Sequence, residues 1–324
     1  MHDLPALLTK IDGYAAANPF PEAPRELFEP CTYMLDLGGK RLRPALLLMA
    51  AELFSDTIDT ALPAAWAVEL FHNFTLMHDD IMDAAPLRRG QPTVHTRWNT
   101  TTGILSGDVM LIQAYRYLTS FSNPAVVTEL VKTFSRVATE VCEGQQYDIN
   151  FESRNDVALP EYIRMIELKT AVLLGGAMEM GAICAGANPA DAEHLYHFGR
   201  LAGISFQIQD DLLDTYGDPA KFGTQVGGDI LQNKKTFLVL KALETMPAGN
   251  RHVLETWLQT GPETPGKVDA VRAIFDQYKI PELAAAEKKR FQAEAFTQLE
   301  KVGVSEARKV ALRQMIGNLL DRDR

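Results

Sequence analysis

The stretch AAWAVELFHNFTLMHDDIMD, residues 64–83, decides the fold. Its side chains Ala64, Ala67, Val68, Phe71, Phe74 and Thr75 to Met77 recur at three- and four-residue spacing, the repeat that lines one side of a helix. The same spacing runs through almost the whole chain, and alternating strand-like stretches are scarce. The pattern therefore predicts helices only. Helix starts are expected at Asn123-Pro124, Leu159-Pro160-Glu161, Asn188-Pro189 and Ile280-Pro281-Glu282, because proline at the first helical position gives up no hydrogen bond. Between these signals lie segments of about 20 to 30 residues, well above the usual helix length of ~11–12. The expected fold is all-α, a single-domain bundle of long helices around a central cavity, spanning residues 1–324. No glycine-serine linker, charge block or low-complexity tract divides the sequence.

Composition narrows the class further. The chain has 324 residues, 46% hydrophobic and 23% charged, and at this size a fold buries roughly 75% of its unfolded surface, enough to need no disulfide or structural metal. Cys31, Cys142 and Cys184 are odd in number and lack CxxC spacing, which argues against a disulfide framework and for a reducing cytoplasm. The start Met1-His2-Asp3-Leu4-Pro5 has no signal-peptide pattern. The longest apolar runs, such as Ala45 to Ala51, fall short of the ~20 residues of a membrane-spanning helix, so no transmembrane segment is expected. A formal charge of −10 argues against nucleic acid as a partner.

Two clusters share the pattern DDxxD: Asp79-Asp80-Ile81-Met82-Asp83 and Asp210-Asp211-Leu212-Leu213-Asp214. On a helix, residues four apart lie on one face about 6 Å along the axis, so the first and last carboxylates of each cluster can reach one metal ion. A solvated acidic face would read the same way once. Here each cluster follows an apolar stretch, His72 to Met77 and Ile204 to Ile208, so both sit where core helices emerge. If the two helices face each other, six carboxylates share one cavity, and at ~6 Å and an effective dielectric near 20 each pair repels by roughly 3 kcal/mol. Magnesium bridging carboxylates to phosphates relieves that repulsion, so the expected ligands are Mg2+ and a phosphorylated substrate.

The basic residues agree. Gly38-Gly39-Lys40-Arg41-Leu42-Arg43-Pro44 sets three cations behind two glycines, and Arg88-Arg89-Gly90 follows the first cluster; planar guanidinium forks suit phosphate oxygens. Either motif alone would pass for a solvated loop. Lys169-Thr170 lies among Ile166, Leu168, Val172 and Leu173, an expensive place for an ammonium without an anion.

In order, GGKRLRP, HDDIMD with LRRGQPT, GQQYD, LKTA, and FQIQDDLLD with GGDILQNKKT make the sequence resemble the trans-isoprenyl diphosphate synthases, also called polyprenyl synthetases. The motifs run from Gly38 to Thr236 and are specific in combination. The resemblance implies that Asp79, Asp80, Asp83, Asp210, Asp211 and Asp214 bind three magnesium ions that hold an allylic diphosphate. It implies contacts to that diphosphate from Arg88, Lys169, Thr170 and Lys234, with Gln145, Asp148 and Gln207 nearby. Lys40, Arg41, Arg43, His72 and Arg89 fall in the part that binds isopentenyl diphosphate. A homodimer is implied as well. The family usually reads glycine-lysine at Gly223-Thr224, so one cation is missing, with Lys221 or Lys235 as partial substitutes; Thr224→Lys should then change the allylic Michaelis constant.

The reaction implied is ionisation of the allylic carbon–oxygen bond, attack by the isopentenyl double bond, and loss of a proton. The growing tail is expected to run along the helix carrying the first cluster, where Thr75, Phe74 and Phe71 lie about 6, 7.5 and 12 Å before Asp79. Family rules read Phe74 with small Thr75 as the twenty-carbon geranylgeranyl type; a helical wheel favours Thr75 and Phe71, and leaves farnesyl diphosphate open. Competing readings fit less well. A class I terpene cyclase would replace the second cluster by Asn-Asp followed by serine and glutamate, and a di-iron bundle would need a second ExxH beside Glu69-Leu70-Phe71-His72. A non-catalytic subunit would have lost one aspartate cluster.

Overall fold

The computed structural model describes residues 2–217 and 226–320. Thr224 and Lys221, and the terminal Arg322-Asp323-Arg324, lie outside the described residues. The chain divides into two compact units, one of Met1–Ser135, Gly176–Leu195 and Gly303–Leu312, the other of Arg136–Gly175, Tyr196–Val302 and Arg313–Arg324.

The first unit begins with α1 (Leu4–Ala17), α2 (Arg25–Asp36), α3 (Leu42–Glu52) and α4 (Leu62–Met82). The strands β1 (Leu87–Arg88) and β2 (Gln91–Pro92), α5 (Val94–Arg97) and α6 (Thr100–Leu118) follow. The stretch of residues 64–83 is α4, which packs mainly on α6 and also on α3. Close approach of α4 and α6 depends on glycine: a Cβ on Gly103 would meet Ile81 Cδ1 at 2.9 Å, and one on Gly107 would meet His78 Nε2 at 2.3 Å. Phe71 and Phe134 fill the interior beside them.

The helix starts expected from proline are found. α7 (Pro124–Ser153), α8 (Leu159–Ile166) and α10 (Pro189–Tyr216) begin where the sequence signals them, as does α15 (Ile280–Lys301). Asn123 and Asn188 accept hydrogen bonds from Ala125 N and Asp191 N, and Glu161 accepts from Ala158 N, which satisfies backbone donors that each helix start leaves open. Between α8 and α9 (Val172–Cys184) the chain makes one π-helical turn, Glu167–Ala171. The second unit also contains α11 (Gly228–Leu231), α12 (Phe237–Thr245), α13 (Ala248–Leu258) and α14 (Lys267–Gln277). The last described helix is α16 (Glu306–Leu320).

The fold is all-α, with one departure from helices only. Leu87 pairs with Pro92 and Arg88 with Gln91, antiparallel, around Arg89 (φ 53°) and Gly90 (φ 76°); two positive φ values in a row fit the tight turns that match strand twist. Among the described residues no helix is long and apolar enough to cross a membrane.

Candidate active site

In the first unit the helical geometry carries through the first aspartate cluster, with Asp83 N donating to Asp79 O at 2.8 Å. Asp79 is half-buried and Asp83 exposed. Asp80 is 3% exposed and its two oxygens accept from Arg88 Nε at 2.9 and 2.8 Å, with Arg88 Nη2 also 2.8 Å away. This bidentate pair neutralises Asp80 and fixes the guanidinium. The hairpin that delivers Arg88 and Arg89 is tied down by fully buried Thr93, which donates from Oγ1 to Ala85 O at 2.8 Å.

Behind it stands a cationic group. Arg43 Nη1 lies 3.2 Å from His72 Nε2, and Gly39 has its missing Cβ 2.9 Å from Arg89 Nη2, so the guanidinium can lie over bare backbone. Burial first, then Arg43, Arg89 and Arg88, hold the His72 imidazole well below its ordinary value. With a neutral ring, Nε2 accepts from Arg43 and the proton stays on Nδ1. Burial also lowers Arg43, opposed by Glu69, and raises Glu69 against its bond from Asn73 and the nearby arginines. Arg41 pairs with Asp12 and lies 6.0 Å from the Trp66 ring centroid, and Lys40 is exposed.

On the N-terminal side of the cluster Phe74 is half-buried, 4.7 Å from the His78 ring and 5.6 Å from Phe71, whose ring is 5.2 Å from Phe134. Phe71 is 1% exposed. Thr75 Oγ1 donates to His72 O.

In the second unit, Asp211 is 4% exposed. Its Oδ2 accepts from Tyr162 Oη at 2.5 Å and Phe237 N at 2.9 Å, and its Oδ1 faces Gln207 Nε2 at 3.5 Å. Burial pushes its carboxyl up to about 7, against the bonds from Tyr162 and Phe237 and with Asp229 adding to the rise. Asp210 and Asp214 are half-buried. Asp214 is raised by burial and then by Asp229, whose backbone N donates to Asp214 Oδ2 at 3.0 Å. Lys234 pairs with Asp229 at 3.1 Å; burial pulls its ammonium down, but Asp229, Asp148 and Asp214 outweigh that and hold it above its ordinary value.

Lys169, in the π turn, has the anion that its apolar surroundings require: Asp148 Oδ2, 2.5 Å away. Thr170 Oγ1 donates to Gln207 Oε1 at 3.4 Å. Lys235 donates to Phe151 O at 2.5 Å, a backbone contact. The second unit thus gathers Asp148 with Lys169, Thr170 and Gln207 with Asp211, and Lys234 with Asp214. Three partners were not singled out as site residues from sequence. Asp229 stands in the quoted GGDILQNKKT and Glu69 is a lone acid in an apolar run, both visible signals; Tyr162 gave none.

The donor set suits magnesium: every acid in both clusters is an aspartate, a hard oxygen ligand. Among the described residues no three histidine, cysteine, aspartate or glutamate side chains converge into a metal cage. Magnesium binds through one or two carboxylates together with substrate phosphates and water rather than in an all-protein cage, so the aspartates fit it when a diphosphate supplies the remaining oxygens. Arg43 Nε and Gln145 Oε1 are among the buried polar atoms of the described residues that have no hydrogen-bond partner. A buried donor or acceptor left unpaired is costly, so each can form a hydrogen bond with a bound group.

A family model described as polyprenyl synthetase matches residues 24–275. A geranylgeranyl diphosphate synthase of Methanosarcina mazei is 45% identical over 222 residues, covering 68% of each chain. A short chain isoprenyl diphosphate synthase of Methanothermobacter thermautotrophicus is 36% identical over 300 residues, covering 93% of this chain and 91% of the relative. Among solved structures, a crystal structure of a geranylgeranyl pyrophosphate synthase superposes with a TM-score of 0.95 at 44% identity, covering 99% of each chain.

Proposed function

The chain belongs to the polyprenyl synthetase family and is a short-chain trans-prenyltransferase; from that premise we propose that it condenses isopentenyl diphosphate with an allylic diphosphate to make geranylgeranyl diphosphate. The observation that carries the binding half of this reading is Arg43 Nε, buried and without a partner beside neutral His72 and Arg89. That group calls for an anion, and isopentenyl diphosphate is the one the family supplies. Lys40, Arg41, Arg43, His72 and Arg89 are proposed to hold it, with His72 donating from Nδ1.

Arg88, Lys169, Thr170 and Lys234 are proposed to hold the allylic diphosphate, with Gln145, Asp148 and Gln207 orienting them. Asp79, Asp83, Asp210 and Asp214 are the proposed magnesium ligands. Asp80 and Asp211, each engaged by protein donors, complete the clusters by fixing Arg88 and by bonding Tyr162 and Phe237 N. Bound with the diphosphate, up to three magnesium ions would draw off the negative charge that builds on the leaving group. The chain's own cations share that task, already oriented by their carboxylate partners before substrate arrives.

A twenty-carbon product is favoured by half-buried Phe74, set between Phe71 and His78, and by the names of the relatives. A cytoplasmic homodimer acting as one domain over residues 1–324 belongs to the same proposal, supported by Cys31, Cys142 and Cys184, which form no disulfide, and by exposed Ile104, Leu105 and Ile112 on α6.

Incubation with Mg2+, isopentenyl diphosphate and dimethylallyl, geranyl or farnesyl diphosphate, followed by chromatography of the dephosphorylated alcohols, tests this. The expected end product is C20, and chelation of the metal should abolish it. A C15 end product would make the enzyme a farnesyl diphosphate synthase, and no elongation from any primer would refute the reading. Phe74→Ala should lengthen the product, while Phe71→Ala, in the interior, should mainly lower stability.

A further inference from the structure

Lys267, the first residue of α14, is 0% exposed. Its Nζ donates to Asn233 Oδ1 at 2.6 Å, to Thr260 O at 2.9 Å and, longer, to Leu231 O at 3.4 Å. All three acceptors are neutral. A buried ammonium without a carboxylate is expensive, and a core hydrophobe would fill the space at lower cost. The gain lies in strong, directed bonds from a charged donor, and two of the three acceptors belong to one turn.

That turn, residues 227–234, carries Asp229 and Lys234. At its start Gly227 has φ 80°, and a Cβ there would come 2.6 Å from Val268 Cγ1. At its end Asn233 has φ 57°, a left-handed conformation that asparagine tolerates when its side chain is bonded; Asn233 Nδ2 also donates to Thr260 O at 3.2 Å. Two consecutive residues, Lys267 and Val268, therefore grip the turn at both ends. Between the grips, Gly227 N donates to Asp214 O at 2.6 Å, Asp229 N to Asp214 Oδ2 at 3.0 Å, and Lys234 N to Asp229 O at 2.9 Å.

We propose that Lys267 is a positioning residue: a buried cation, touching no substrate, whose bonds to Leu231 and Asn233 set the turn and with it Lys234, Asp229 and Asp214. The proposal rests on the reading of Lys234 and Asp214 as groups that serve the allylic diphosphate. A cation that merely stabilised the second unit would lower its melting temperature and leave substrate selectivity untouched. A positioning cation acts on one substrate and on the metal.

The test uses full-length Lys267→Met and Asn233→Ala, with melting temperature, kcat, KM for each substrate and the half-saturating Mg2+ concentration measured beside wild type. Lys267→Met should raise the allylic KM and the magnesium requirement by roughly tenfold or more while the isopentenyl KM changes less than about twofold. Asn233→Ala should move the same two quantities in the same direction by a smaller factor. Folded variants whose two KM values stay unchanged or shift together, with only the melting temperature lowered, would overturn the proposal. Should Lys267→Met fail to fold, Asn233→Ala decides alone. Wild type that elongates normally while the variants lack this split refutes Lys267 positioning only; wild type that elongates nothing refutes the proposed function instead.

Discussion

His72 is held neutral by burial and by Arg43, Arg89 and Arg88. Its folded value lies below the ordinary 6.5, so below about that pH the unfolded chain binds the proton first and stability falls as pH falls. Asp211 works in the opposite sense. Its carboxyl, raised from 3.8 to about 7, contributes stability that is present below 3.8 and lost as pH rises through about 7. A variant compared with wild type separates the two. Between about pH 7.5 and 5.5, wild type should lose more thermal stability than His72→Asn, because only in wild type does the unfolded chain gain a proton on that imidazole that the fold withholds; parallel melting curves across this range would show that His72 is not the group responsible. The aspartates themselves were legible in the sequence, as was the need of Lys169 for an anion. That Asp211 is bonded to Tyr162 and Phe237 N was not, since those partners stand 49 and 26 residues away.

At the scale of elements, the π turn Glu167–Ala171 is seated on glycines. A Cβ on Gly144 of α7 would lie 2.2 Å from Lys169 N, and one on Gly203 of α10 would lie 2.7 Å from Ala171 Cα. Glycine inside a helix ordinarily weakens it by roughly 0.5–1 kcal/mol relative to alanine, so Gly144→Ala in an open helix would stabilise. Here the sign should reverse, with a loss of about 2 kcal/mol as the turn is pushed off α7, measured by urea unfolding. Asp148 stands one helical turn beyond Gly144, so the Lys169 pair and the activity should suffer together. Stabilisation of the variant would mean that the contact relaxes freely. Helix starts at Pro124, Pro160, Pro189 and Pro281 were legible because capping is local. The π turn and the Leu87–Pro92 hairpin were not: the first depends on what packs against it, and the second is two residues long per strand, too short to show alternation.

At the scale of the whole molecule, the motif order from Gly38 to Thr236 was enough to reach the family. The exposed apolar face of α6, with Leu105 54% and Ile112 58% exposed, adds what the order could not, a surface that in a lone chain would meet water at a cost. If this face joins two copies, Leu105→Glu with Ile112→Glu should yield a monomer by light scattering, with the helical content of wild type retained. A double variant that remains a dimer would place the interface elsewhere.

By itself the sequence determined the helices, the family and the letters of both aspartate clusters, because periodicity, capping and motif spacing are written within a few residues of one another. Only the tertiary structure decided which charges are neutralised and which are held ready: Asp80 by Arg88, His72 by Arg43, Lys169 by Asp148, and the 227–234 turn by Lys267. Those assignments depend on burial, which removes water as the competing partner, and on distances between residues that are up to 36 positions apart in the chain. Neither quantity is local, so neither could be read from spacing.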